Sequence, residues 1–152
     1  MTPTQELRFL ILAAQRAGGR MITAGLKPLA LTPAQAEVLQ VLDEFHPLSL
    51  AELGGLLVCE SGSPSRLVAG LVKRGLVARS TSSRDARVAE LSLSAEGREL
   101  AGRLREIDDH LAAKIAASLS SKEAQALVEG LRKLLCDTPP GQTVARRRTR
   151  VA

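Results

Sequence analysis

Between residues 61 and 87, short hydroxyl side chains and cations recur at spacings suited to a polyanion. Ser61, Gly62, Ser63, Ser65 and Arg66 open one apolar-striped segment, and Arg84, Asp85 and Arg87 lie in a polar stretch further on. Serine hydroxyls bond to phosphates or base edges without holding the backbone away. Arginine offers a planar fork that reaches a guanine edge or clamps a phosphate, which is the chemistry expected of Arg66 and Arg84. Arg87 suits the negative potential of a narrow minor groove. Asp85 alone would repel DNA, so its expected role is to hold the Arg87 fork; a plain surface ion pair, worth roughly 0–1 kcal/mol, is the other reading. The serines can equally cap a helix, and Gly62 either admits close backbone approach or eases a turn.

These residues need rigid elements behind them. Ser49-Leu50-Ala51-Glu52 is a capping box that opens a short helix to about Leu57. A tight turn through Val58-Cys59-Glu60 leads to a second helix, roughly 62–75, with Leu67, Val68, Leu71 and Val72 as its apolar stripe. Gly75 after Lys73-Arg74 ends it. Two short strands follow, about 76–81 and 87–93, around a polar loop. Helix, turn, helix and basic hairpin is the order of a winged helix-turn-helix, with one helix for the major groove and the hairpin for the flanking groove.

Residues 5–29 carry helical apolar spacing interrupted by Gly18-Gly19, where the helix bends or another helix crosses closely. Thr32-Pro33-Ala34-Gln35 starts a helix that Pro47 ends. Ser94 caps a long helix over about 95–118, and Ser120-Ser121-Lys122-Glu123 opens a last one through Leu135. The expected fold is mainly α with a small β-hairpin wing. It forms one domain over residues 1–136: a winged helix-turn-helix over about 32–94, and N- and C-terminal dimerisation helices over 1–30 and 95–136. The terminal helices carry more apolar stripe than a compact lobe buries, which predicts a homodimer across a two-fold axis. An intramolecular bundle is the alternative. Residues 137–152 hold Arg146, Arg147, Arg148 and Arg150 behind Pro139-Pro140-Gly141 and are expected to form a flexible basic tail, with sequence-blind phosphate contact as a secondary use.

Composition narrows the function classes. The chain has 152 residues, 45% of them hydrophobic, which is enough for a core, and a formal charge of +5, which fits a polyanion partner. Its aromatics are Phe9 and Phe45 alone, so single-strand binding on stacking platforms is disfavoured. No phosphate loop, nucleophile motif or paired His/Cys/Asp cluster points to an enzyme. Cys59 and Cys136 make neither a disulfide framework nor a zinc site, and His46 and His110 are isolated, so no metal or cofactor is expected. Cys59 reads either as an oxidant sensor or as a small buried apolar residue. Phe9-Leu10-Ile11-Leu12 is soon followed by Arg16, so neither a signal peptide nor a membrane partner is expected, and a cytoplasmic location follows. Arg16 or Arg20 would offer a cation to an acidic effector, or simply be solvated.

Leu31-Thr32-Pro33-Ala34-Gln35-Ala36, Ser65-Arg66-Leu67-Val68 through Lys73-Arg74-Gly75-Leu76-Val77, and Asp85-Ala86-Arg87 with Leu93-Ser94 and Gly97 occur in that order. Together they resemble the second helix, recognition helix and wing of the MarR family of bacterial transcription regulators. The resemblance runs from the first helix to Cys136. It implies double-stranded DNA as partner, a pseudopalindromic operator bound by a homodimer, and commonly repression relieved by a small anionic or phenolic effector. One departure is that Val58 and Cys59 stand where the family often has glycine and a small apolar residue. The competing reading is a winged-helix module that docks on protein without a specific DNA target.

Overall fold

The computed structural model describes every residue except Glu60, Ser61, Arg84, Ala86 and Ala152. Helix α1 spans Pro3–Leu26 without interruption at Gly18-Gly19, and a single 3-10 turn, Lys27–Leu29, closes it. No atom of another element among the described residues lies within 4 Å of a Cβ built on either glycine, so no second helix of the same chain crosses closely there. Helix α2 is Pro33–Phe45, with Thr32 and Gln35 forming the expected reciprocal cap. A two-residue strand β1, Leu48–Ser49, precedes α3, Leu50–Gly54, whose cap is the predicted Ser49/Glu52 box. Helix α4 covers Pro64–Lys73, strands β2 and β3 are Val77–Thr81 and Ala89–Leu93, and α5 and α6 are Ala95–Ser118 and Ser121–Leu135.

The sheet is antiparallel in the order β1-β3-β2. The wing pairs Val77 with Leu93 and Thr81 with Ala89, and Leu48 pairs with Leu91 at the far edge. Strand β1 was not legible in the sequence, because two residues carry no periodicity; its pairing with β3 makes it a strand.

The core is aliphatic and sits in the lobe formed by α2, α3, α4, the sheet and the start of α5. Val38, Leu39, Leu42, Leu53, Val68 and Leu71 are fully buried there, with Leu104 of α5 almost so. By contrast α6 buries no residue.

The expected flexible tail is instead a helix, α7, over Pro139–Val151. Prolines at the first two helical positions remove only N–H groups that would lack a helical partner anyway. The Thr138 hydroxyl accepts from the Gly141 N–H at 3.2 Å and donates to the Leu135 carbonyl at 2.7 Å, tying the corner between α6 and α7. A Cβ on Gly141 would stand 2.0 Å from the Leu135 oxygen, so the corner needs glycine for close approach. The Pro-Pro-Gly run is therefore a corner and a restart, not the end of structure.

Candidate nucleic-acid interface

Helix α4 is held at both ends. Its exit is a Schellman turn: Gly75, at φ +73°, donates to the Val72 carbonyl, and Leu76 donates to that of Leu71. Ser94 then locks this exit to the base of the wing. Its hydroxyl donates to the Gly75 carbonyl at 2.6 Å and accepts from the Gly97 N–H at 3.0 Å, while its own N–H reaches the Leu76 carbonyl. A Cβ on Gly97 would stand 2.0 Å from the Leu76 oxygen, so glycine is what lets α5 begin against the recognition-helix exit.

At the entrance of α4, Gly62 takes φ +80°, a conformation that favours glycine, with open space where a Cβ would be. The left-handed residue of this turn thus lies at Gly62 rather than at Val58 or Cys59. Ser63 is the N-cap residue, yet its side chain makes no capping bond; its hydroxyl meets that of Ser65 at 3.0 Å instead. Ser63, Ser65 and Arg66 are exposed together on the first turn of α4. Ser61 lies outside the described residues.

The turn between α3 and α4 is organised from outside the motif. Glu37 of α2 is buried, and its carboxylate accepts from the N–H groups of Val58 and Cys59, each at 2.7 Å. Arg147 of α7 pairs with the same carboxylate. Desolvation, then the Glu37 carboxylate beside it, pushes the Cys59 thiol up to about 11. Cys59 is exposed, which corrects the reading of a small buried apolar residue, because the turn leaves its side chain at the surface; a thiol held protonated at neutral pH is nonetheless a poor oxidant sensor. The Ser49 N–H and hydroxyl, with a further pull from Arg150, hold Glu52 below the usual carboxylate range.

In the wing, the Asp85 carboxylate accepts from the backbone N–H of Arg87 at 2.9 Å, and the Asp85 carbonyl accepts from Val88. Asp85 therefore shapes the turn; among the described residues it is not ion-paired with the Arg87 guanidinium, which corrects the expected role of fixing the fork. An aspartate two residues before a backbone N–H closes such a turn more readily than it reaches a long side chain. Arg87 is exposed, as is Arg79 on β2. Arg84 lies outside the described residues. Arg74, by contrast, is spent on structure, donating to the Ala30 carbonyl at 2.9 Å.

Away from this face, Arg16, Arg20 and Lys27 line one open cleft of about 800 Å³ along α1. Their spacing of i, i+4 and i+11 on the predicted first helix was the signal that groups Lys27 with the two arginines. Among the described residues no His/Cys/Asp/Glu group is arranged to hold a metal, and no helix is long and apolar enough to cross a membrane.

Comparison with known proteins places this geometry. Residues 31–89, from the start of α2 to the start of β3, match the MarR family model. The transcriptional regulator SarZ of Staphylococcus epidermidis is 25% identical over 132 residues, covering 87% of this chain and 88% of SarZ. Residues 31–89 form a MarR-family domain. A mutant E. coli MarR complexed with operator DNA superposes with a TM-score of 0.74 at 25% identity, covering 86% of this chain and 94% of that one. BpsR of Bordetella bronchiseptica, whose DNA binding 6-hydroxynicotinic acid regulates, shares the fold at a TM-score of 0.74 and 22% identity, over 88% of this chain and 96% of BpsR. MarR-family proteins are transcriptional regulators, and this chain has a three-stranded winged-helix lobe over the matched residues.

Proposed function

We propose that the chain acts as a homodimer on a pseudopalindromic duplex operator, as a cytoplasmic regulator rather than an enzyme. The first turn of α4 enters the major groove, where Ser63, Ser65 and Arg66 meet base edges or phosphates. Gly62 and Ser61 belong to its approach, and Arg84 and Arg87 reach the flanking minor groove from the wing, with Asp85 shaping the turn that carries them. The observation that carries this reading is the pairing of two exposed basic features on one rigid lobe. The exit of α4 and the base of the wing that carries the Arg87 turn are joined through the Ser94–Gly75 and Ser94–Gly97 hydrogen bonds.

The dimer reading rests on unpartnered apolar surface. Leu7, Phe9, Leu10 and Leu12 of α1, and Leu127, Leu131, Leu134 and Leu135 of α6, are exposed in the single chain. A two-fold axis would bury both stripes. The three cations along the α1 cleft suit a small anionic effector, which regulates only if it binds the DNA-competent and incompetent states unequally.

The test is a titration of labelled promoter duplex against scrambled duplex over a salt series. Specific binding that weakens steeply with salt is expected. Equal, weak binding to both duplexes would sink the reading.

A further inference from the structure

We propose that Arg147, carried on α7, is a positioning residue for DNA binding, acting with Glu37 to hold the α3–α4 turn from which the recognition helix is presented. The inference rests on the DNA reading above and goes beyond it, since neither residue lies on the proposed groove-facing surface.

Helix α3 has only five residues, and the turn after it carries Val58 and Cys59. A helix this short leaves its last carbonyls without partners. Helix α7 supplies donors to the carbonyls just past the end of α3: Arg146 donates to the Gly55 carbonyl at 3.3 Å and Arg147 Nε donates to that of Leu56 at 2.7 Å. Cations are also favoured at this negative end of a helix. Two residues further on, the polarity reverses. The N–H groups of Val58 and Cys59 point to the Glu37 carboxylate, and the other end of the Arg147 guanidinium neutralises that carboxylate. Arg147 thus touches both the carbonyl end of α3 and the anion that holds the following amides. Its planar fork allows this, whereas an ammonium is a single point of charge.

The Glu37 side chain is 9% exposed, so losing Arg147 would leave a buried carboxylate facing two amides with no cation. The turn would then be free to shift, and with it the first turn of α4. Arg150 adds an outer tether to Glu52 at 3.2 Å. Because α7 follows α6 directly, the strap joins the proposed dimer layer to the reading head.

The experiment uses the full chain and compares wild type, Arg147→Met, Arg147→Lys, Glu37→Gln and the double variant Arg147→Met/Glu37→Gln. Operator affinity is measured over a salt series, and amide exchange is followed at Val58 and Cys59. Arg147→Met is expected to bind operator about 10- to 100-fold more weakly with an unchanged slope against salt, since it removes no phosphate contact. Exchange at Val58 and Cys59 should accelerate. Arg147→Lys should recover part of the affinity, and the double variant should be no worse than the weaker single, since both act through one turn. A variant Arg147→Met that binds as tightly as a discriminating wild type overturns the proposal. A salt slope lower by about one also overturns it, because Arg147 would then be a phosphate contact. If Arg147→Met does not fold, Glu37→Gln, which keeps the side-chain shape, decides on the same readouts. A wild type that fails to discriminate operator from scrambled duplex overturns the DNA reading instead.

Discussion

The winged lobe and the terminal helices use the same aliphatic alphabet to opposite ends. Helix α2 buries seven residues among its thirteen, whereas α6, with five large apolar side chains at helical spacing, buries none. Both carry an apolar stripe. The difference is that α2 is met by α3, α4, α5 and the sheet, while α6 touches mainly α7 within its own chain. An amphipathic stripe therefore says that a helix needs a partner, and leaves open whether the partner is in the same molecule. The lobe holds a folding core of its own; the stripe of α6 is left open within the chain.

The strongest way to break this contrast is to charge the open stripe. Leu131→Asp should leave the lobe folded yet weaken self-association by at least about 100-fold, since an unpaired carboxylate would be buried in the new interface. Sedimentation would show a monomer at micromolar concentration with intact helical circular dichroism. A dimer of undiminished strength would move the interface elsewhere. In the lobe, Leu42→Ala removes a side chain with no exposed area. It should lower unfolding stability by about 3 kcal/mol in a urea titration. On the proposed dimer, Leu131→Ala should instead make the unfolding midpoint less dependent on protein concentration, because it weakens the association through which concentration stabilises the fold. Equal effects of the two alanine variants in dilute protein would erase the distinction.

Smaller effects sharpen the lobe's own account. Arg87→Ala should weaken operator binding about tenfold at unchanged thermal stability. Loss of stability instead would make Arg87 a structural residue. The smallest signal concerns Cys59. With Cys136→Ser leaving one thiol, alkylation at pH 8 should run about 100-fold slower than for a free cysteine, because the thiolate forms only as pH climbs toward 11. A folded-state value above the ordinary 9 also means that this group's contribution to stability is intact below pH 9 and is lost as pH rises through 11. Rapid alkylation at pH 8 would reopen the sensing role.

Much of the fold was readable because its signals are local. The boxes Thr32/Gln35, Ser49/Glu52 and Ser120/Glu123 opened helices where expected, since each closes its hydrogen bonds within four residues. Thr2-Pro3, Thr32-Pro33 and Thr138-Pro139 are one recurring helix start, and at the third the following Pro140-Gly141 hides it by reading as a break. Arg87 and the α4 serines were legible as a class, by type and by position in the motif. The actual partner of the Asp85 carboxylate was not, because turn backbone competes for it.

What the sequence determined by itself was therefore the helices before residue 136, the presence of the wing hairpin and the existence of stripes that need covering. Tertiary structure alone decided which groups separated in the chain would satisfy one another. Glu37 and Arg147 are 110 positions apart and meet only because the corner at Gly141 turns α7 back onto the lobe. Gly97 reveals its necessity only when the Leu76 carbonyl arrives against it. Capping and amphipathic spacing are set by neighbours within a turn or two, whereas burial, close approach and ion pairing depend on how completed elements meet.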